Sequence, residues 1–207
     1  MTGWHELLLP HWLDPAEAAE PLLLSKLREY VAQSPMAVSE FELACIDDSD
    51  PDRRDLAAYC LARVMQERES YVMRPHAIAG GRELLEQDVS PTVIRELVVG
   101  LGRSGDPIGV AVMALAAHES PEVREAVAMV VPNLFLDGIE EARSCVSALT
   151  QLAQDSVASV REWAVFGLVL LIDAGVSDDD ASAAVVAARA DPDAGVREEA
   201  RGVESDT

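Results

Sequence analysis

Four histidines, three cysteines and an abundance of carboxylates are the residues of this 207-residue chain that could do chemistry. His5, His11, His76 and His118 stand apart: no two are spaced i, i+4, none neighbours a cysteine, and no HExxH occurs, so the pattern offers no zinc site. Cys45, Cys60 and Cys145 show no CxxC spacing, and their odd number builds no disulfide framework. They read as small buried hydrophobes in a reducing compartment. No GxSxG supports a serine nucleophile, and Gly80-Gly81 and Gly100-Leu101-Gly102 lie outside any GxxxxGK[ST] phosphate loop. The acidic turns DSDPD (48–52) and SDDD (177–180) lack the alternating ligands, central glycine and distal glutamate of an EF-hand. SDDD reads instead as an N-cap followed by first-turn acids that the helix dipole favours. No catalytic residue, metal ligand or cofactor site is expected.

The regular feature is an arginine. Arg54, Arg95, Arg124, Arg161 and Arg197 each sit in a phrase opened by Ser or Asp: DPDRRDLAAYCLA from Asp50, SPTVIRELVVGLG from Ser90, SPEVREAVAMVV from Ser120, DSVASVREWAVFGLV from Asp155 and DPDAGVREEARGV from Asp191. The opening side chain can accept from an orphan N–H of a helical first turn, and Pro51, Pro91, Pro121 and Pro192 follow where no helix hydrogen bond is lost. Apolar residues then recur at helical spacing, as in Val123, Val127, Val130 and Leu134, or Val160, Ala164, Gly167, Leu168 and Leu171. A further helix fits before each phrase, at 37–47, 72–87, 107–118, 138–153 and 178–190. The clearest carries Ile139, Ala142, Val146 and Leu149 on one face. A helix pair cannot bury its apolar face alone, so the repetition supplies the core, and an all-α solenoid of about five helical pairs is expected.

The phrase Asp/Ser-Pro-x-Val-Arg-x-x-Ala opening a second helix resembles HEAT repeats, closest to the short bacterial HEAT-like form also found in phycobilin lyase subunits. The resemblance spans about residues 37–203. It departs from the pattern at Arg53, where Val is expected, at Ile94 in a slightly stretched second copy, and in the polar last copy, whose EEARGVESDT reads as a C-terminal cap. Residues 14–33 are expected to form an N-terminal capping helix that starts or breaks at Pro21, and residues 1–13 carry no assignment. The domain reading is an N-terminal capping segment at 1–36 followed by one continuous repeat domain at 37–207.

Composition narrows the function. The formal charge is −21, and fifteen of the sixteen basic residues are arginine, Lys26 being the exception. Nucleic-acid binding is driven by Lys and Arg neutralising phosphates, so neither nucleic acid nor an anionic membrane is an expected partner. The N-terminus has no basic region ahead of an apolar one, and the longest apolar run, VFGLVLLI (165–172), is too short to span a bilayer. A cytoplasmic protein is expected. Aromatics make up only 4% of residues, so the core is built from Ala, Val and Leu.

The residue after each signature arginine is acidic: Asp55, Glu96, Glu125, Glu162 and Glu198. With the preceding apolar position at 0°, this acid lies at about 200°, away from the core. Stacking would align the five in a column, which the HEAT resemblance places on the concave face. The column reads either as a groove for a basic segment or as a solvated face with weak local pairs. Tyr59, Met129, Trp163 and Phe166 flank it and read either as binding anchors or as contacts between neighbouring inner helices. For the arginines, pairing between repeats with carboxylates such as Asp50 or Asp155 is favoured over anion binding, because adjacent acids compete for the charge. The expected function is therefore non-enzymatic: a scaffold that binds a basic protein partner on the concave inner-helix face, as an adaptor or an immunity- or antitoxin-like polyanion mimic. The alternative implied by the resemblance is an enzyme-associated HEAT protein such as a bilin lyase-like subunit. A HEAT-like DNA glycosylase would need a basic groove that this composition lacks.

Overall fold

The computed structural model describes residues 3–13, 19–68, 71–87, 89–105, 109–134, 139–176 and 178–202. The described residues form α-helices and short 3-10 turns, with no strand among them. They fall into two compact units, Met1–Ser104 and Gly105–Thr207.

Unit 1 contains α1 (Trp4–Trp12), α2 (Ala19–Gln33), α3 (Ala37–Asp47), α4 (Pro51–Met65), α5 (Arg74–Leu85) and α6 (Pro91–Ser104). α4 starts where its sequence says it should: the Asp50 carboxylate accepts from the Asp52 N–H at 3.1 Å, and Pro51 fills the first helical position. Every residue from Leu56 to Ala62 is buried, so this helix is wrapped by neighbours rather than striped. It pairs with α3, and α6 stacks beside it. Gly100 permits the close approach: a Cβ there would stand 2.7 Å from the Ala62 Cα. Leu56, Leu61, Leu97 and Leu101 are fully buried at this junction, each worth about 1.5–3 kcal/mol of transfer free energy.

Unit 2 contains α7 (Gly109–Met113), continued by a 3-10 turn at Ala114–Ala117, then α8 (Pro121–Val130), α9 (Ile139–Leu152), α10 (Ala158–Asp173), α11 (Asp179–Ala188) and α12 (Ala194–Glu199). α8, α10 and α12 stack as second helices, with α9 and α11 packed behind them. Val123, Val160 and Val196, each just before a signature arginine, are all fully buried. In α4 the same register holds Arg53, half-exposed, with its Nε 3.5 Å from the Asp50 carboxylate.

Two expectations are corrected, and one unassigned segment gains a structure. Within residues 1–13, which carried no assignment, α1 buries Trp4 and Leu8, spaced i, i+4, and seats the Trp4 ring edge-on against Phe41 at 5.4 Å. Pro10 inside this helix is what hid it, because proline ordinarily argues against a helix interior. Asp155 and Asp191 are not N-caps. The caps are Val157 and Asp193, two residues on, so Pro192 lies in the turn rather than the helix. Of the helix expected at 107–118, residues 107–108 lie outside the described residues, and the rest forms α7 and a 3-10 continuation that stops before His118. Of the helix expected within 14–33, α2 from Ala19 is present; residues 14–18 and 203–207 lie outside the described residues.

Candidate functional site

The signature arginines are the best-organised polar groups in the chain. Four of the five donate from Nη1 to the backbone carbonyl six residues upstream: Arg54 to Asp48 at 2.6 Å, Arg124 to His118 at 2.8 Å, Arg161 to Asp155 at 2.8 Å and Arg197 to Asp191 at 2.7 Å. This bond ties each second helix to the turn that leads into it. The residue six back also closes that turn. The Asp48, Asp155 and Asp191 carboxylates accept from the N–H two residues on, at 3.0, 2.9 and 2.8 Å, and His118 Nδ1 does the same at 3.1 Å.

In unit 2 the free edge of the guanidinium then reaches into the next repeat. Arg124 grips Asp155 with two bonds of 2.6 and 3.0 Å, and Arg161 grips Asp191 with two of 2.8 and 2.9 Å. Planar two-point pairing is the strong form of this interaction. Both pairs are largely shielded, with side-chain exposures between 9 and 16%. The guanidinium hydrogen bonds hold the Asp155 and Asp191 carboxyls below the usual aspartate range, against the opposing pull of burial. Asp50, by contrast, caps α4 and meets Arg53, and takes no part in a rung. Arg95 pairs with its own neighbour, Glu96.

The acidic residues after the arginines are spread over different environments. Asp55 accepts from the Thr92 hydroxyl at 2.7 Å and Glu125 from the Ser159 hydroxyl at 2.8 Å. Both donors lie in the first turn of the next second helix. Glu162 leans over the first turn of α12, where a Cβ on Gly195 would stand 2.8 Å from its carboxylate. Glu96 turns inward, and burial pushes its carboxyl above the ordinary glutamate value despite Arg95 beside it. Glu198 is exposed. Three of these carboxylates thus meet the next helix start, and the sequence did not show those contacts. The recurring Thr or Ser two or three residues before the next arginine was the available signal.

Tyr59 is corrected as an open anchor. It is 7% exposed because Trp12 covers it, ring centroids 5.0 Å apart. Its hydroxyl donates to Glu20 at 2.9 Å, and Arg63 sits over its ring at 4.7 Å while pairing with the same Glu20. Burial and the Glu20 hydrogen bond push its phenol up to about 12. Met129, Trp163 and Phe166 remain partly exposed, and Trp163 meets Phe166 edge-on at 5.8 Å.

All three cysteines are buried, and none forms a disulfide. Among the described residues, no three His, Cys, Asp or Glu side chains gather to hold a metal ion. An open groove of about 410 Å³ between α9 and α11 is lined mainly by alanines, with Thr150, Gln154, Asp180 and the already paired Asp191. No helix among the described residues is long and apolar enough to cross a membrane.

Comparison with known proteins defines the class. No protein-family model matches the chain, and no curated protein matches it in sequence. Solved structures do match. An X-ray structure of YibA from E. coli is 20% identical with a TM-score of 0.67, covering 93% of this chain and 67% of that one. A structure concerned with microtubule plus end tracking by XMAP215, CLIP-170 and EB1 is 14% identical with a TM-score of 0.53, covering 94% and 87%. A designed armadillo repeat protein in complex with the peptide (KR)4 is 17% identical with a TM-score of 0.53, covering 94% and 95%. The chain has the all-α repeat fold of the HEAT and armadillo type.

Proposed function

We propose that this protein is a non-enzymatic interaction module that holds a basic protein partner on the face of its second helices. One observation carries the reading: the Glu162 and Glu198 side chains and the partly exposed Trp163 and Phe166 share the α10–α12 region of a chain carrying −21. Acidic and aromatic groups on a rigid helical scaffold suit a partner that brings Lys or Arg together with apolar surface. The same charge disfavours nucleic acid and anionic membranes as partners. The (KR)4 complex of the designed armadillo protein adds support, since a scaffold of this fold can present a face to a basic peptide. Buried cysteines that form no disulfide fit a cytoplasmic setting.

The test is titration with a synthetic (Lys-Arg)4 peptide, with (Asp-Glu)4 as control. Saturable binding of the basic peptide that weakens with salt is expected, and charge reversal at Glu162 and Glu198 together should reduce it. Equal binding of both peptides, or none, overturns the reading.

A further inference from the structure

Counting from each signature arginine, the positions one, five and nine residues on share one face of the second helix. In α4 these are Asp55, Tyr59 and Arg63, and the protein itself shows what that face accepts. An aromatic side chain, Trp12, covers Tyr59, and a charge opposite to Arg63, from Glu20, sits beside it. In α10 the same register holds Glu162, Phe166 and Leu170. Leu170 is 39% exposed, and Phe166 and Trp163 are partly open beside it, so the three form a shared apolar surface. Glu162 matches Asp55, and Leu170 stands where α4 has Arg63, so this face keeps the acid, lacks the cation and calls for a positive counter-charge. Glu198 and Glu199 stand close by on α12. Burial first, then Glu162 and Glu198, push the Glu199 carboxyl above its ordinary value, so added positive charge relieves a crowd of like charges.

We infer that the Glu162–Phe166–Leu170 face of α10, with Trp163 at its side, seats an apolar side chain carried next to a lysine or arginine on a partner polypeptide. The inference rests on the interaction-module reading and gives it a place and a two-part chemistry. α4 supplies the template for both parts: an apolar side chain over the middle of the face, and a counter-charge one turn away. Unit 1 does not offer a second such seat on α4 or α6, because Tyr59 is covered and Gly100 at the matching position of α6 is buried against Ala62.

The experiment compares two probes on the full chain: (Lys-Arg)4, and the same peptide with one leucine inserted at its centre. The leucine peptide is expected to bind at least about fivefold more tightly, as partial burial of a leucine predicts. It should also shift the tryptophan emission to the blue, and Trp163→Phe should remove that shift. Leu170→Ser should abolish the leucine advantage while leaving the affinity for (Lys-Arg)4 in place, and Phe166→Ala should weaken the leucine peptide more than it weakens (Lys-Arg)4. Leu170→Ser changes an exposed side chain, so it keeps the test decisive if Phe166→Ala fails to fold. A leucine peptide no tighter than (Lys-Arg)4, or an advantage that survives Leu170→Ser, overturns this inference and leaves the general reading standing. Failure of both peptides to bind overturns both.

Discussion

The two units solve the same stacking problem by different means. Unit 1 brings α4 and α6 together by removing a side chain, at Gly100, and letting backbone approach backbone. Unit 2 joins α8, α10 and α12 with guanidinium–carboxylate rungs. The difference traces to one register position, six residues before the arginine. In unit 2 it supplies Asp155 and Asp191. In unit 1 the position that Arg54 would reach is Val89, which has no carboxylate to offer. A repeat signature therefore does not dictate one way of stacking. Arg54 in unit 1 and Arg124, Arg161 and Arg197 in unit 2 all keep the bond to their own turn, while among the described residues the reach into the next repeat is made only in unit 2.

The comparison can be broken most severely at the position just before the arginine. Val160→Asp puts a charge in a fully buried site and is expected to cost about 4 kcal/mol or more, melting unit 2. Arg53→Val at the matching position of unit 1 should change stability by less than about 1 kcal/mol, because that site already tolerates a half-exposed cation. Thermal unfolding with hydrogen exchange resolved by unit checks both, and a cooperative, fully folded Val160→Asp protein would show that the helical phase is wrong. Next in size is Asp191→Ala, which removes a two-point rung and a turn-closing acceptor and leaves a shielded guanidinium unpaired, for about 3 kcal/mol. Asp48→Ala removes only the turn bond and should cost about 1 kcal/mol. Equal losses at the two positions would mean that the rungs contribute nothing.

Solution pH sharpens the contrast further. Asp155 and Asp191 have folded values below their unfolded ones, so their contribution is complete above the ordinary aspartate value and is lost as pH falls through the lowered range. Unit 2 should loosen in acid, below about pH 4. Tyr59 is raised to about 12, so the folded state keeps a proton that the unfolded chain gives up from about pH 10. Unit 1, which also holds the raised phenols of Tyr30 and Tyr71, should loosen in alkali. Per-unit exchange protection across both extremes checks this, and simultaneous loss at either end counts against it. The smallest effect belongs to Glu20→Ala, whose pair with Arg63 is largely exposed; a change under about 1 kcal/mol in unit 1 melting is expected.

Much of the fold was legible in the sequence because it repeats. The helix at 37–47 is present as expected, and those near 138–153 and 178–190 differ from expectation only at their ends. α1 was not legible, since its partners Phe41 and Tyr59 lie far along the chain and a nine-residue segment with a proline has no clear period of its own. The N-cap positions at Asp155 and Asp191 were misread because an aspartate that closes a turn looks the same in sequence as one that caps a helix. Tyr59 was placed by helical phase near the open face, and phase cannot show that a distant tryptophan covers it. The rung from Arg124 to Asp155 was within reach of sequence reasoning, whereas the contacts of Glu125 with Ser159 and of Glu162 with the α12 start needed coordinates.

Asp155 is held from both sides, its carboxylate by Arg124 and its carbonyl by Arg161, and Asp191 is held in the same way by Arg161 and Arg197. The two rungs are therefore one cord, Arg124–Asp155–Arg161–Asp191–Arg197, tied at every turn to the backbone it crosses. Such a cord carries tension from the start of α8 to the start of α12 without relying on the apolar core. A load on one turn is passed to the next through five side chains, and cutting any middle link slackens the repeats on both sides of it.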